Sequence, residues 1–413
     1  MSRVPQASTE STPREAAVAN PRVAALLVAL LSVLATFIWQ AATVHFNYGG
    51  NWTGLFCTGD VRPVPPELAA NTYIFKSSTG YDGQFYRYVA HDPWFQKGLW
   101  RYHDTARWRS WRILMPALAW LVAGGQSRYI DAAYIAVMLL FVGLGTYWLG
   151  RYAASHGWHS AWGLGFLLLP ATFISIDRLT IDVALAALCA GFVWYSRRES
   201  TVGLYAVLVL AGLARETGLL LVAAGCLHEL WNRRWRRAVL FATAALPVLV
   251  WFRIVAVQTA RMGRSLGALS LGVSVPRWLF QYPLVGIIMA LFRAEPYPVK
   301  PPLLQVVQAV DVLALCGFLF ALVLAVWGLW RRRFDREQWV ALCFVALALV
   351  LSIPGYWRHV YGYGRPLTPL VFVVGLRVFA GARWWVLVPI LLMDLRMAVQ
   401  MSPQILGILR GLI

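Results

Sequence analysis

The sequence predicts an all-α polytopic membrane protein, with about eleven transmembrane helices and a large first outer loop that carries amphipathic helices. Hydrophobic residues make up 59% of the 413 residues and charged residues only 13%, whereas soluble domains carry about 25% charged residues. Apolar runs such as 23–44 and 303–330 reach or exceed the roughly 20 residues with which a helix crosses a bilayer. The formal net charge is +19, and the arginines cluster at the ends of apolar runs, where topology and anionic headgroups explain them. The predicted partner is therefore a lipid bilayer and not a nucleic acid.

The N-terminal region divides into a tail and a first helix. Residues 1–21 are rich in Ala, Ser, Thr and Pro, a composition that predicts a disordered cytoplasmic tail. The apolar run that follows is too long for the core of a signal peptide and lacks a convincing cleavage site. We therefore expect it to remain as the first transmembrane helix, so that residues 22–413 form a single transmembrane domain.

Three basic clusters, at 197–198, 233–237 and 331–333, set the predicted topology. Each follows an apolar run, and the positive-inside rule places all three in the cytoplasm. The segments that alternate correctly about these clusters are 23–45, 129–150, 161–176, 183–196, 202–214, 217–230, 238–256, 303–330, 338–353, 367–380 and 384–400.

Two outer loops follow from this topology. The first, 46–128, includes the apolar segment 113–123, which is too short to span and is expected to lie in or re-enter the membrane on the outer side. The second, 257–301, is expected to hold an amphipathic helix around 278–292. Most of the chemically diverse residues of the chain lie on this outer side.

Asp82 is the first candidate for chemistry in the outer loop. Residues 82–90 fit a helix whose apolar face consists of Phe85, Tyr86 and Val89, which predicts an amphipathic helix lying on the membrane surface. Two interpretations of Asp82 are open. It caps the helix N-terminus, or it acts as a general base at the boundary between lipid and water.

Two further charged groups lie between predicted helices. Asp177 and Asp182 flank Arg178, which is typical either of a salt bridge with a helix cap or of a second acid that orients an acceptor or assists the base. Arg215 and Glu216 lie between two short predicted spans. Because an unpaired charge in lipid costs several kcal/mol, we expect this pair in a pocket lined by protein or water.

A third polar segment, 354–366, places Arg358 and Arg365 among aromatic residues that include Tyr363. The pattern is typical of an interfacial aromatic belt. It also suits a lipid-linked phosphate, because a guanidinium group grips phosphate oxygens with two hydrogen bonds. Both roles are compatible.

The sequence predicts no cofactor. His91, Asp92, His103 and Asp104 lie near one another in sequence, but their spacing fits no known ligand pattern, so a divalent metal is left open and not predicted. Asp60, like Asp92 and Asp104, fits an ordinary loop or turn role. The phosphate-binding and hydrolase motifs are absent from the sequence, so a nucleotide-bound donor is not expected.

Four segments, taken in order, resemble the C superfamily of glycosyltransferases. They are closest to the mannosyltransferase branch that builds GPI anchors and its bacterial relatives, and the first also resembles a bacterial family linked to formation of cell-surface glycopolymers. In that branch, Asp182 would stand where Glu is usual and Glu216 where a neutral residue is usual. The matching sequences are YDGQFYRYVA (81–90) followed by RILMPALAW (112–120), LTIDVAL (179–185), LARETGLLL (213–221) and YGRPLTP (363–369).

The resemblance implies an enzyme of the bacterial cytoplasmic membrane whose active face is turned outward. It would be an inverting, mannosyltransferase-like hexosyl- or pentosyltransferase that moves a sugar from polyprenyl phosphate to a glycan or lipid acceptor of the cell envelope. Asp82 would be the general base and Asp182 a second catalytic acid. The residues implied to bind substrate are Tyr81, Gln84, Tyr86, Arg112, Asp177, Arg215, Arg358, Tyr363 and Arg365.

Two other hypotheses come from different classes of protein. The first is that the chain is a transporter or flippase of a lipid-linked saccharide, and this hypothesis predicts charged residues deep in several helices. Alternatively, it is an inactive scaffold of an envelope assembly complex, in which case Asp82 tolerates substitution.

Overall fold

The computed structural model describes residues 20–266, 282–297, 299–332 and 334–413. Apart from one parallel pair of two-residue strands, β1 (Thr58–Gly59) and β2 (Ile74–Phe75), the regular structure of these residues is helical. The α-helices are α1 (Pro21–Asn47), α2 (Pro66–Ala69), α3 (Asp82–His91), α4 (Ala106–Trp111), α5 (Leu114–Val122), α6 (Ser127–Ala154), α7 (Pro170–Arg178), α8 (Asp182–Arg197), α9 (Thr201–Ala214), α10 (Leu219–Trp231), α11 (Trp235–Thr243), α12 (Leu246–Leu266), α13 (Val285–Phe292), α14 (Leu303–Trp330), α15 (Arg336–Val350), α16 (Pro354–Trp357), α17 (Val360–Gly375) and α18 (Val388–Leu412).

The chain is an all-α membrane protein. In its described part, five helical segments are long and apolar enough to cross a bilayer, and a sixth is added if the 3₁₀ helix Ser160–Leu168 and α7, which meet at a bend of 64°, are one span. The eleven predicted spans are therefore not confirmed, although helices occupy each predicted segment. The five segments are Pro21–Asn47, Ser127–Ala154, Trp235–Arg261, Leu303–Trp330 and Trp384–Leu412.

Short helices account for the difference. The helices α8, α9, α10, α15 and α17 have 13 to 16 residues, below the roughly 20 that cross a bilayer unaided. α8 and α17 are buried along nearly their whole length. Their apolar sequences therefore face other helices of the protein, so hydrophobicity alone cannot show how many of them cross the membrane.

α8 lies at the centre of the bundle and sets the position of Asp182. It packs against α6, α9 and α17. Small residues permit this close packing: a Cβ atom added at Gly191 would lie 3.1 Å from the ring of Trp148 on α6 and from the side chain of Val207 on α9. A larger residue at this position would push the helices apart.

The predicted helix at 82–90 is present as α3, but it is enclosed by the protein and does not expose the apolar face that the prediction assigned to the membrane surface. Every residue from Gly83 to His91 is buried. Its polar side chains bond to other parts of the protein: Arg87 donates two hydrogen bonds of 2.8 Å to Asp131 of α6. The polar side of α3 therefore contacts other helices of the protein.

The remaining boundaries partly follow the sequence. α5 has nine residues and is too short to span, as expected for 113–123. Of the predicted second outer loop, α13 covers the last part of the helix predicted around 278–292, and residues 267–281 lie outside the described residues. Most of the predicted tail, residues 1–19, also lies outside them.

Candidate functional site

A cavity of about 490 Å³ contains the strongest candidate residues. Five separate parts of the chain line it: the start of α3, the segment through α4, the turn between α9 and α10, the end of α15 with α16, and the middle of α17. One part of the wall is charged and another is apolar. The lining residues are Asp82, Asp104, Thr105, Trp108, Arg109, Trp111, Arg112, Arg215, Glu216, Thr217, Leu347, Leu351, Ile353, Tyr356, Arg365 and Pro366.

Asp82 is held in this wall by two arginines. Its Oδ2 accepts a hydrogen bond of 2.8 Å from Arg365 Nη1, and its Oδ1 lies 2.8 Å from Arg109 Nη2. The N-cap of α3 is Tyr81 and Asp82 is the first residue of the helix, so Asp82 does not occupy the capping position that the capping interpretation required. Burial alone would raise the pKa of Asp82, but Arg109 and Arg365 outweigh burial and hold the pKa well below its usual range.

Glycine makes this placement possible. A Cβ atom added at Gly83 would lie 2.3 Å from the carbonyl oxygen of Arg178, closer than any real Cβ contact. The N-terminus of α3 is therefore pressed directly against the end of α7. Gly83 permits the close approach of the two backbones, and this approach places the carboxylate of the preceding Asp82 in the cavity wall.

Asp182 lies behind the cavity wall and is fully buried. Arg215 Nη1 donates to its Oδ1, and Arg365 Nη1 lies 3.6 Å from its Oδ2. Arg365 therefore bridges the two acids that the sequence singled out. The salt-bridge interpretation required an ion pair between Asp182 and Arg178, but Asp182 pairs with Arg215 and Arg365 instead.

The opposite part of the wall completes a ring of charges. Arg112 binds Glu216 through two hydrogen bonds of 2.8 and 2.7 Å, and Glu216 Oε1 lies 3.7 Å from Arg215 Nε. Arg112 also donates to the hydroxyl of Tyr86, which accepts a longer bond, 3.4 Å, from Arg109. We call the closed circuit the arginine–carboxylate ring; it consists of Asp82, Arg365, Asp182, Arg215, Glu216, Arg112, Tyr86 and Arg109.

Asp104 is attached to this ring from outside. It accepts hydrogen bonds of 2.9 and 2.7 Å from Arg109, the same guanidinium group that contacts Asp82. The sequence assigned Asp104 a turn role only, which is incomplete, because it also lines the cavity. Arg109 itself was missed, although Arg109 and Arg112 are three residues apart and share one side of a helical turn.

The cavity wall favours an anionic group. Four arginines and three carboxylates line it, and the carboxylate of Asp182 behind the wall pairs with Arg215 and Arg365, so these charges balance and the free N–H groups of the wall are what suit an anion. Several lining N–H groups are buried and have no hydrogen-bond partner among the described residues, including Nε of Arg215 and Nε of Arg365 and the indole N–H groups of Trp108 and Trp111. Buried donors of this kind are satisfied when a ligand supplies acceptor oxygens.

The apolar part of the wall lies beside these donors. Trp111 stacks on Phe252 of α12 with ring centroids 4.6 Å apart, and the guanidinium group of Arg112 lies 5.4 Å from the centroid of Trp108. Leu347 and Leu351 of α15 continue the surface. The cavity as a whole suits an amphiphile with an anionic head and a hydrocarbon chain.

Tyr81 and Gln84, which were also predicted to bind substrate, do not line the cavity. The ring of Tyr81 lies 4.9 Å from the guanidinium carbon of Arg365, and its hydroxyl donates to the carbonyl of Tyr361 at 2.8 Å. Gln84 Nε2 donates to the carbonyl of Thr79 at 3.0 Å. Tyr81 therefore supports Arg365, whereas Gln84 stabilises the preceding turn.

Three other residues predicted to bind substrate lie elsewhere. Asp177 pairs with Arg178 at 3.0 Å, as the salt-bridge interpretation expected, and does not reach the cavity. Arg358 is paired with Glu295 at 3.3 Å. Tyr363 is fully buried and stacks on Trp357. None of the three lines the cavity.

The residues considered for a metal are engaged separately. His91 lies 3.1 Å from Asp131 Oδ1, the carboxylate of Asp92 accepts backbone hydrogen bonds at the end of α3, and the ring of His103 stacks on Tyr88. Burial lowers the pKa of His103 to about 3. In the described part of the chain, no group of three His, Cys, Asp or Glu residues is placed to hold a metal ion.

The site combines an ionised carboxylate, cations that bind an anion, and an apolar wall in one cavity. Such an arrangement can hold an amphiphilic anion and accept a proton next to it. When the chain is compared with known proteins, no protein-family model, no curated protein and no solved structure matches it.

Proposed function

We propose that the protein is a glycosyltransferase that moves a monosaccharide from a polyprenyl-phosphate donor to a glycan or lipid acceptor of the cell envelope. The observation that carries the proposal is the cavity in which Asp82 lies between Arg109 and Arg365 and next to an apolar wall. A polyprenyl phosphate needs both cations and an apolar surface. The ordered resemblance to the C superfamily of glycosyltransferases supports the same class.

Asp82 is the general base in this proposal. Its carboxylate takes the proton from an acceptor hydroxyl while the hydroxyl oxygen forms a bond to the anomeric carbon. The bond between that carbon and the phosphate oxygen breaks, and polyprenyl phosphate leaves with the electron pair. Attack from the face opposite the phosphate inverts the anomeric centre. The growing negative charge on the leaving phosphate is stabilised by Arg365 and Arg109.

The two arginines also imply an order of binding. In the free protein they hold Asp82 ionised but make it a weak base, because they stabilise the carboxylate. A donor phosphate that takes hydrogen bonds from the same guanidinium groups weakens their hold on Asp82. The carboxylate then becomes more basic, so the donor binds first and prepares Asp82 for the acceptor.

Asp182 is assigned a different role from the one the sequence implied. It is fully buried behind the wall, so it cannot touch an acceptor, and it holds Arg215 and Arg365 in position. Glu216 similarly fixes Arg112. We therefore propose Asp182 as a positioning residue and keep the catalytic role for Asp82.

The location of the site is part of the proposal. We place the protein in a bacterial cytoplasmic membrane, with the arginine–carboxylate ring at the outer face. The support is the clustering of arginines at 197–198, 233–237 and 331–333 together with the positive-inside rule. A polyprenyl-linked sugar in the outer leaflet would then present its anomeric carbon beside Asp82.

The test is sugar transfer by the purified protein from a panel of synthetic polyprenyl-phosphate monosaccharides, with envelope extract as acceptor. Wild type should transfer at least one sugar, and Asp82→Asn should transfer none while remaining folded. Asp60→Asn is the matched control, because Asp60 is an exposed acid of the same outer region that lies outside the cavity wall. Full transfer by Asp82→Asn would contradict the assignment of Asp82 as the general base.

One observation favours a transporter or flippase as the second candidate. Asp311 of α14 and Arg396 of α18 form a buried ion pair at 2.6 Å within two membrane-spanning helices. Charges inside spans often mark a transport path. Movement of a fluorescent polyprenyl phosphate across proteoliposomes, without sugar transfer from any donor, would favour this candidate. Neither activity in folded protein would favour a scaffold.

A further inference from the structure

A second cluster of arginines lies at the other end of the bundle. α8 begins at Asp182, beside the arginine–carboxylate ring, and ends at Arg197. With a rise of about 1.5 Å per residue, its 16 residues separate the two ends by roughly 24 Å. The far end therefore belongs to the opposite side of the bundle from the proposed active site.

A cavity of about 310 Å³ opens at this far end. The first turn of α1, the last two turns of α6, the end of α8 and the residue before α9 all contribute to it. Its described wall holds three arginines and includes no carboxylate. The lining residues are Arg22, Tyr147, Arg151, Trp194, Tyr195, Arg198 and Ser200.

The three arginines differ from those of the ring. Each arginine of the ring faces at least one carboxylate within 3.6 Å. Among the described residues, Arg22, Arg151 and Arg198 make no ion pair. Unpaired cations that converge on one cavity create a field that attracts an anion.

Aromatic residues hold two of these cations in place. The guanidinium carbon of Arg151 lies 4.7 Å from the ring centroid of Trp194, and that of Arg198 lies 5.7 Å from the same ring. Arg151 Nη1 donates to the hydroxyl of Tyr147 at 3.1 Å. This uses one of the five N–H groups of Arg151, so the others remain for a ligand.

From its position near the ends of α1 and α6 we infer that the cavity lies at the depth of a membrane surface. Arg22 is the second residue of α1 and Arg151 is three residues from the end of α6, and both helices are long and apolar enough to span. Leu26 and Leu27, one turn further along α1, are more than half exposed. Trp and Tyr are enriched at this depth. A ligand here therefore meets cations at one end and a lipid-facing surface at the other.

We propose that this cavity binds the headgroup of an anionic glycerophospholipid from the leaflet opposite the arginine–carboxylate ring. The phosphate accepts hydrogen bonds from Arg151 and Arg198, Arg22 closes the site from α1, and the acyl chains lie along the exposed leucines of α1. Basic pockets between spanning helices bind anionic headgroups in this way. The proposal does not depend on the proposed sugar transfer.

The test compares lipid retention by native mass spectrometry of the full chain in detergent, with phosphatidylglycerol or phosphatidylcholine as the probe. Wild type should retain phosphatidylglycerol at least tenfold more tightly than phosphatidylcholine. In the double variant Arg151→Gln/Arg198→Gln, the ratio of phosphatidylglycerol retention to phosphatidylcholine retention should fall at least tenfold. Arg233→Gln/Arg236→Gln removes the same charge from exposed arginines outside the cavity wall and should keep the preference.

Two results would overturn the proposal. The first is equal retention by the two double variants, which would place the lipid elsewhere. The second is displacement of phosphatidylglycerol by inorganic phosphate at equal concentration, which would make this a site for free phosphate. Because a double variant can misfold, Arg151→Lys serves as a second variant: it keeps the charge but not the planar fork, so weaker but measurable preference supports the site.

Discussion

Asp82 shows how strongly a single residue depends on its neighbours. Its carboxylate is contacted by Arg109 and Arg365, which lower its pKa against the effect of burial. In the proposed role as a base, Asp82 must be ionised before it can accept a proton, and Arg109 and Arg365 favour this ionised form. The same contacts limit its basicity, which is why a ligand that competes for the arginines would control its reactivity.

The pH dependence of sugar transfer should therefore change when Arg109 is replaced. In wild type the pKa of Asp82 is well below its usual range, so kcat/KM should not fall with Asp82 protonation above about pH 5. In Arg109→Gln one stabilising cation is lost while burial still favours the neutral acid, so the pKa rises and the acid limb moves to higher pH. Arg128→Gln, an exposed arginine, is the control. An acid limb identical in all three proteins would show that Asp82 is not the titrating group.

Sequence motifs identified only some of the residues of the arginine–carboxylate ring. Asp82, Asp182, Arg215 and Arg365 were identified from motifs far apart in the chain, and the structure places all four in one ring. Arg109 was missed because its spacing of three residues from Arg112 does not by itself select Arg109, rather than Arg107, as the contact of Asp82. That choice depends on the packing of α4 against α3, which no local pattern encodes.

At the scale of elements, burial is what the sequence failed to predict. α3 has the composition of a surface helix, yet Arg87 pairs with Asp131 of α6 across 44 positions of sequence. A polar side chain that faces water and one that faces a partner in another helix give the same pattern. The same ambiguity affects α8 and α17, whose apolar sequences predict spans but are also what a buried short helix needs.

The ion pair between α14 and α18 should be a strong determinant of stability. Arg396 Nε lies 2.6 Å from Asp311 Oδ1, and Arg396 also donates to the hydroxyl of Tyr297. Removing one partner leaves a buried charge, so Arg396→Met should lower the free energy of unfolding by about 3 to 5 kcal/mol. Asp311→Leu/Arg396→Met should be less destabilising than Arg396→Met, since no charge remains unpaired.

Thermal unfolding in detergent would measure both effects. Arg410→Met is the control, because Arg410 is an exposed residue of the same helix and its loss should change the Tm little. If the double variant were less stable than Arg396→Met, the unpaired carboxylate of Asp311 would not be the cause of the destabilisation and the stated reason would be wrong.

At the scale of the whole molecule, the two ends of the bundle differ in how they use arginine. At one end four arginines are neutralised by carboxylates in a ring. At the other end Arg22, Arg151 and Arg198 line a cavity whose described wall includes no carboxylate. The all-α membrane class was predictable from composition, because no soluble core buries so much apolar sequence. The number of spans was not, because length and hydropathy do not distinguish a lipid-facing helix from one enclosed by others.

This asymmetry predicts which end of the bundle faces out of the cell. Unpaired arginines near the membrane are retained in the cytoplasm, so the ring should lie outside. In a chain whose five cysteines are replaced by alanine, Asp60→Cys should react with a membrane-impermeant maleimide in intact cells. Arg236→Cys, at the arginine-rich end, should react only after the cells are permeabilised. Labelling of Arg236→Cys but not Asp60→Cys in intact cells would show that the arginine–carboxylate ring faces the cytoplasm. A polyprenyl-phosphate donor in the outer leaflet could then not reach Asp82.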